Sequence, residues 1–261
     1  MTDAIEPIKV RVHALSISDA LGYRAQQAVA QAVADRGDYR IIGGHMVRML
    51  LHVYPTANAV LRSTADADAA LGSVEVLEPV TQNLVAANFT KEGGNILFKD
   101  VGAEQRIEIN LLLARTGAAQ GIRAQSVPGV GQIDTLPELR FALMTPALVI
   151  DVEAHLDDTE VIEYQTRIPN LEAAAVLKAH SWKDRGSEKD LADLHSLLEI
   201  RDAHPSTEWL LGDPDPIGFR KDTVRILKDL AGKVTRKNAG FPVPGYLNRL
   251  RFAALISRHI A

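Results

Sequence analysis

Two aspartates alternate in the run Arg62-Ser63-Thr64-Ala65-Asp66-Ala67-Asp68, within a stretch that is otherwise largely apolar. An uncompensated charge in a half-buried segment is costly, so such groups neutralise, pair or bind a metal. In a strand, alternate side chains share a face, which puts Thr64, Asp66 and Asp68 together and the two acids about 7 Å apart. That separation suits one or two Mg2+ ions, which take carboxylates and substrate phosphate oxygens. A third acid on a neighbouring strand would complete the set. Glu108 in QRIEINLLL is the candidate, because Glu108 and Asn110 alternate with Ile107 and Ile109. The plain alternative is that Asp-x-Asp lies in a loop and Glu108 on an exposed strand face.

Upstream, Gly43-Gly44 follows the apolar pair Ile41-Ile42 and precedes HMVRMLLHVY, whose apolar residues recur at helical spacing. A strand that turns into a helix through two glycines exposes backbone N–H groups at the positive end of a helix dipole. Glycine also lets a phosphate approach the backbone closely. The same pair can serve as a turn and nothing more. No Gly-x-Gly-x-x-Gly or Walker pattern occurs; PGVGQ near residue 130 lacks both the spacing and the lysine.

Other chemistries are constrained by composition. There is no cysteine, which excludes disulfides, thiolate metal sites and a cysteine nucleophile. His45, His52, His155, His180 and His195 show no metal-ligand spacing; His45 and His52, seven apart on one helix, read as packing or capping residues. Tyr164, Trp182, Trp209, Phe219 and Phe241 read as core. MTDAIEPIKVRVHAL carries early acids and no long apolar run, and no stretch reaches the roughly 18 apolar residues of a membrane span. The expectation is a cytoplasmic protein.

The elements that must position these residues divide in two. SISDALGYRAQQAVAQAVADRG (16–37) predicts a capped helix, YRII a short buried strand, and STADADAAL and SVEVL extended chain. GNILFKD, AEQRIEINLLLA, GIRAQSV and ALVIDVEAHL continue the β pattern, with TEVIEYQTRI answering the last as a hairpin across LDD. From Asn170 the pattern is helical: NLEAAAVLKAHSWKDR, SEKDLADLHSLLEIR, FRKDTVRILKDLAGKV and GYLNRLRFAALISRHI. The expected class is α+β, with a mixed-sheet domain over 1–168 and a helical domain over 169–261. Charge is divided too. Residues 217–261 hold ten Lys or Arg against two acids, a charge of +8, so the rest of this −4 chain carries −12. Such asymmetry fits a phosphate-facing or nucleic-acid-facing tail, or a solvated helical face paired with acids of the first domain.

Taken together, Gly43-Gly44, a helix, and Arg62-Ser63-Thr64-Ala65-Asp66-Ala67-Asp68 resemble the signature of the DNA polymerase β-like nucleotidyltransferase superfamily. VLKAHSWKDRGSEKDLADL is similar to the second half of its AbiEii/MenT-type toxin branch, with Lys178, Arg185, Lys189, Asp190 and Asp193 at the matching positions. Many superfamily members have Gly-Ser where this chain has Gly43-Gly44; Gly-Gly is familiar in this branch. The likeness covers roughly residues 40–200, and between 72 and 165 it rests on strand pattern alone.

The resemblance implies an NTP-dependent nucleotidyltransferase. Gly43, Gly44, Arg62, Thr64, Lys178 and Arg185 would bind the nucleotide, Asp66 and Asp68 with Glu108 would hold Mg2+ (or Mn2+), and Lys178 and Asp193 would join the aspartates in catalysis. Asp190 and Lys189 complete the motif. It further implies an RNA acceptor, the 3′ end of a tRNA, and a cognate antitoxin as partner; a small molecule or a protein side chain is the alternative acceptor. The residues themselves leave an inter-helix ion pair between Lys178 and Asp193 open.

Overall fold

The computed structural model describes residues 6–34, 36–102, 105–117 and 121–261. Residue 35 of the first helical pattern and residues 103–104 of the AEQRIEIN pattern lie outside that set. The protein is α+β, and its chain forms two compact units. The first takes Met1–Val53 and Arg62–Pro169; the second takes Tyr54–Leu61 and Asn170–Ala261. The change of character at Asn170 is thus visible in both sequence and structure, whereas nothing in the sequence sets residues 54–61 apart with the helices.

In the first unit the elements run β1 (Ile8–His13), α1 (Ile17–Val33), β2 (Tyr39–Ile42), α2 (Gly43–Val53), β3 (Asp66–Leu71), α3 (Val74–Ala86), β4 (Thr90–Lys91), β5 (Ile96–Asp100), β6 (Arg106–Ala114), β7 (Arg123–Val127), β8 (Gly131–Leu136), α4 (Glu138–Met144), β9 (Ala147–His155) and β10 (Val161–Pro169). Ser16 caps α1, accepting from the N–H of Asp19 at 3.2 Å. Tyr23, Ala25, Val29 and Val33 then fall on its buried face. Each large apolar side chain so buried contributes roughly 1.5–3 kcal/mol.

The strands do not form one sheet. A mixed sheet runs β2-β3-β6-β5-β4, with β8 beside β6 and β7 beside β8. The hairpin β9–β10 expected across LDD is present, but it builds a separate three-stranded sheet with β1, which lies parallel to β9. In the mixed sheet β2 is antiparallel and β6 parallel to β3.

SVEVL, expected as extended, is the start of helix α3 instead. Five residues with apolar side chains at alternate places fit a strand, but the longer run decides. Val76, Leu77, Val80 and Leu84 are buried at helical spacing, and the Thr81 hydroxyl donates to the Leu77 carbonyl at 2.9 Å. Pro79, the sixth residue of α3, has no N–H for the Glu75 carbonyl, so the helix forms despite one missing bond of its ladder. The strand expected over STADADAAL is also shorter than its pattern. It begins at Asp66, so Thr64 lies in the irregular segment before it.

The second unit has α5 (Leu171–Arg185), α6 (Glu188–Ala203), α7 (Gly218–Val234) and α8 (Arg249–His259), the four expected helices. Asn170, Ser187 and Asn248 supply side-chain caps at the starts of α5, α6 and α8. Gly186 closes α5 in the left-handed conformation, φ +62°, which glycine adopts without a Cβ penalty. Ala173–Ala175, Val176 and Ala179 make α5 buried around most of its girth, a central helix rather than a surface one. No helix among the described residues is long and apolar enough to cross a membrane.

Candidate active site

The strand–helix junction is tighter than its sequence suggests. Helix α2 begins at Gly43 itself, directly after β2, and Gly43 has φ +70°, which favours glycine. A Cβ there would overlap Oδ2 of Asp68 and come within 3.0 Å of its Cγ. The carboxylate of Asp68 therefore occupies the space that any side chain at 43 would need. At Gly44 an added Cβ would lie 2.5 Å from Oγ1 of Thr64 and 3.0 Å from Nη2 of Arg62. Two motifs some twenty residues apart in sequence thus meet: the backbone of Gly43-Gly44 lies against Arg62, Thr64 and Asp68.

The neighbouring strand supplies the rest. β3 and β6 are parallel, with Asp66 opposite Glu108 and Asp68 opposite Asn110. Paired residues on adjacent strands project to the same side, so Asp66, Asp68, Glu108 and Asn110 share one face. All four are partly exposed, while Ala67, Ile107 and Ile109 point into the core. Asn110 is held by the Asn95 amide, which donates to its Oδ1 at 3.1 Å. Register thus puts Glu108 where strand phase expected it. Its carboxylate, however, faces Arg106, with Oε2 3.6 Å from Nη2. Among the described residues no group of three or more His, Asp or Glu side chains is arranged to hold a metal. Oxygen donors alone, with a glycine cradle that brings Asp68 close to the backbone, nevertheless suit a hard cation that needs one or two carboxylates. The residues fit Mg2+ through Asp66 and Asp68, with Glu108 on the same face and 3.6 Å from Arg106, whose nearer partner is Glu92 at 3.2 Å.

The motif in the second unit is a charge cluster. Lys178 Nζ lies 2.6 Å from Oδ2 of Asp193 and 3.6 Å from Oδ1 of Asp190, with all three side chains buried. Arg185 closes the group by donating through Nη2 to both carboxylate oxygens of Asp190, at 2.9 and 3.0 Å. One buried lysine faces two buried acids, and the largely exposed Arg185 supplies the second cation. The inter-helix ion pair that the residues left open is present. Lys189 is exposed at the start of α6.

The basic segment is less bare than its count implies. Arg220 holds Glu172 through Nε and Nη2, Arg251 holds Glu199 and Asp202, and Arg258 also reaches Asp202. These pairing acids, Glu172, Glu199 and Asp202, belong to the helical unit. His259, Arg258 and Arg251 draw the Asp202 carboxyl down to about 2, the His259 hydrogen bond contributing most. Lys221, Lys228, Arg236 and Lys237 remain exposed on α7 and just beyond it.

Sequence reasoning passed over a second group, beneath the junction. Asp19 on α1 and Arg48 on α2 form an ion pair of 2.7 Å with both side chains almost wholly buried. His45, read as a packing residue, is buried at 1% exposure and bonded through Nδ1 to the Gln26 amide at 2.8 Å. Burial, aided by the Arg48 charge, lowers its pKa to about 3, so the ring is neutral. Signals existed. An arginine inside the apolar run MVRMLL needs a buried partner, and an isolated glycine inside an alanine-rich helix (Gly22) has a packing reason. No protein-family model matches this sequence, and no curated protein does either.

Proposed function

We propose that the first unit is a metal-dependent nucleotidyltransferase core, in which an acceptor hydroxyl bonds to the α-phosphorus of an NTP, giving up its proton, as the bond to the departing pyrophosphate breaks. The observation that carries the reading is the meeting of Gly43-Gly44 with Asp68, Thr64 and Arg62 at the start of α2. There the first-turn N–H groups and the positive end of the helix dipole can receive β- and γ-phosphate oxygens. Arg62 and Thr64 add a cation and a hydroxyl at the same place. Mg2+ held by Asp66 and Asp68 would neutralise phosphate charge and ease deprotonation of the attacking hydroxyl. The chain's own part is to hold phosphate and acceptor in line, which is most of what phosphoryl transfer asks of a protein.

For the acceptor, the exposed Lys221, Lys228, Arg236 and Lys237 favour a polyanion, and the resemblance narrows this to the 3′ end of a tRNA. On the same ground the protein would act as the toxin of a toxin–antitoxin or phage-defence system, with an antitoxin partner. Lys178 and Arg185, which the resemblance gives to the nucleotide, are matched by Asp193 and Asp190 in the second unit.

The test incubates purified protein with Mg2+, each labelled NTP in turn, and total tRNA, an aminoglycoside or a protein acceptor. Label on RNA is the expected result. Label on another acceptor keeps the chemistry and changes the substrate. No transfer with any NTP, or undiminished transfer by an Asp66→Ala/Asp68→Ala variant, overturns the reading.

A further inference from the structure

Arg62–Ala65 belongs to no helix or strand, yet it leads directly into the strand that carries both aspartates. Its backbone groups cannot be satisfied by a ladder, so their partners have to come from elsewhere. The Ser63 carbonyl accepts from Nη1 of Arg62 itself at 3.4 Å, and the Arg62 carbonyl turns to helix α2. Arg48 Nη1 donates to the Arg62 carbonyl at 3.4 Å while holding Oδ1 of Asp19 at 2.7 Å. Nη2 of Arg48 donates to the His13 carbonyl at the end of β1, also at 3.4 Å. The other oxygen of Asp19 accepts from the N–H of Leu15 at 2.9 Å.

Two residues further on, the Thr64 carbonyl oxygen and Nε2 of His45 converge on the space over Gly22, packed together without a hydrogen bond of full geometry. Nδ1 of His45 is bonded to the Gln26 amide at 2.8 Å, which fixes the ring and leaves Nε2 on the side of Thr64. Gly22 makes room for this contact: a Cβ there would overlap both His45 Nε2 and the Thr64 carbonyl oxygen. Ser16, the α1 cap, adds a hydroxyl contact to Ser63 at 3.4 Å. Three consecutive residues of the motif are therefore gripped from one side by α1 and α2.

We infer that Asp19, Arg48, His45 and Gly22 are positioning residues, which fix the Arg62–Thr64 backbone and so set the aim of Arg62, Thr64, Asp66 and Asp68. The inference rests on the proposed nucleotidyl transfer for its functional consequence, but not for the grip itself. Burying a charged pair contributes little net stability, and replacing one by apolar residues of similar volume is often neutral or stabilising. A pair placed here under an irregular segment serves geometry better than it serves stability.

The experiment uses that asymmetry. In the full chain, Asp19→Leu/Arg48→Met removes both charges and leaves neither unpaired. The global unfolding midpoint should hold or rise, while amide exchange over residues 62–66 accelerates about tenfold or more, since the opening is local. In the transfer assay kcat should fall on the order of a hundredfold, the scale of a 1 Å misplacement. The NTP KM should change much less, because the Gly43-Gly44 backbone remains. Gly22→Ala is the second variant, with every charge retained and a methyl pressed on the Thr64 carbonyl; it should give the same local exchange. Wild-type exchange over 62–66 in both variants overturns the inference, as does a fall in kcat no larger than the loss of folded protein. A wild type that transfers nothing, beside variants with accelerated exchange, overturns the proposed chemistry and leaves the grip standing.

Discussion

Replacing Gly43 by alanine should uncouple stability from function at the junction, and its cost can be worked in two parts. The first is backbone: φ +70° in an L-residue costs about 1–2 kcal/mol. The second is the carboxylate of Asp68, whose Oδ2 the new methyl overlaps and whose Cγ it approaches to 3.0 Å. Asp68 is the movable partner, and swinging it some 30° off its rotamer costs on the order of 0.5–1.5 kcal/mol. Gly43→Ala should therefore lower unfolding free energy by roughly 1.5–3.5 kcal/mol. In an Asp68→Ala background only the backbone part survives. Urea unfolding of the four proteins in the cycle should show a coupling of about 0.5–1.5 kcal/mol. Under the proposed function, transfer by the folded Gly43→Ala variant should nevertheless be near background, because the displaced carboxylate is the one proposed to hold metal. A coupling indistinguishable from zero, or a Gly43→Ala variant that matches the wild type in the transfer assay, would refute the claim that Gly43 exists to admit Asp68.

Acidification should unfold the protein partly through His45, which faces Arg48, Asp19, Arg62 and the Thr64 carbonyl. Its folded pKa of about 3 lies below the ordinary 6.5, so the unfolded chain binds the proton first. The stabilisation is complete above pH 6.5 and drains away as pH falls toward 3. Between those limits His45→Gln should flatten the stability–pH slope by up to about 1.4 kcal/mol per pH unit relative to wild type; an unchanged slope would contradict the assigned burial. Lys178→Met should cost roughly 3–5 kcal/mol in thermal or urea unfolding by stranding Asp193, and Lys178→Met/Asp193→Leu should recover most of it. Full activity per folded molecule in that double variant would remove Lys178 from the nucleotide site. Changing Lys221, Lys228, Arg236 and Lys237 to glutamine should raise an RNA acceptor's KM and flatten its log–log salt dependence by roughly 0.7–0.9 for each phosphate no longer neutralised. The NTP KM should stay put; an unchanged salt slope would favour a small acceptor.

Local pattern alone was enough for much of this protein. The four helices after Asn170 follow from apolar spacing and from caps that act within one turn, and the β9–β10 hairpin follows from two alternating runs about a short polar turn. Strand alternation likewise put Asp66 and Asp68 on one face and Glu108 on the matching face of β6. What alternation cannot supply is register or partner. The pairing of Asp66 with Glu108 is a parallel crossover spanning some forty residues, and Arg106 on the same strand as Glu108 also meets Glu92, just past β4. SVEVL shows the same limit at short range, since five residues cannot distinguish two periods that a thirteen-residue helix resolves.

The tertiary structure alone decided why the glycines are glycines. Gly22, Gly43 and Gly44 lie in two different helices, and at each a Cβ would meet an atom of the Arg62–Asp68 segment or of His45, with the φ of +70° a further reason at Gly43. Sequence spacing carries no information about that approach, because a missing Cβ records only that something is near. Asp19 and Arg48, 29 positions apart, are likewise unreadable as a pair until α1 and α2 pack and exclude water from both. Chain-local chemistry named the groups that could bind a phosphate and a cation. Close packing between distant segments determined which of them face one another.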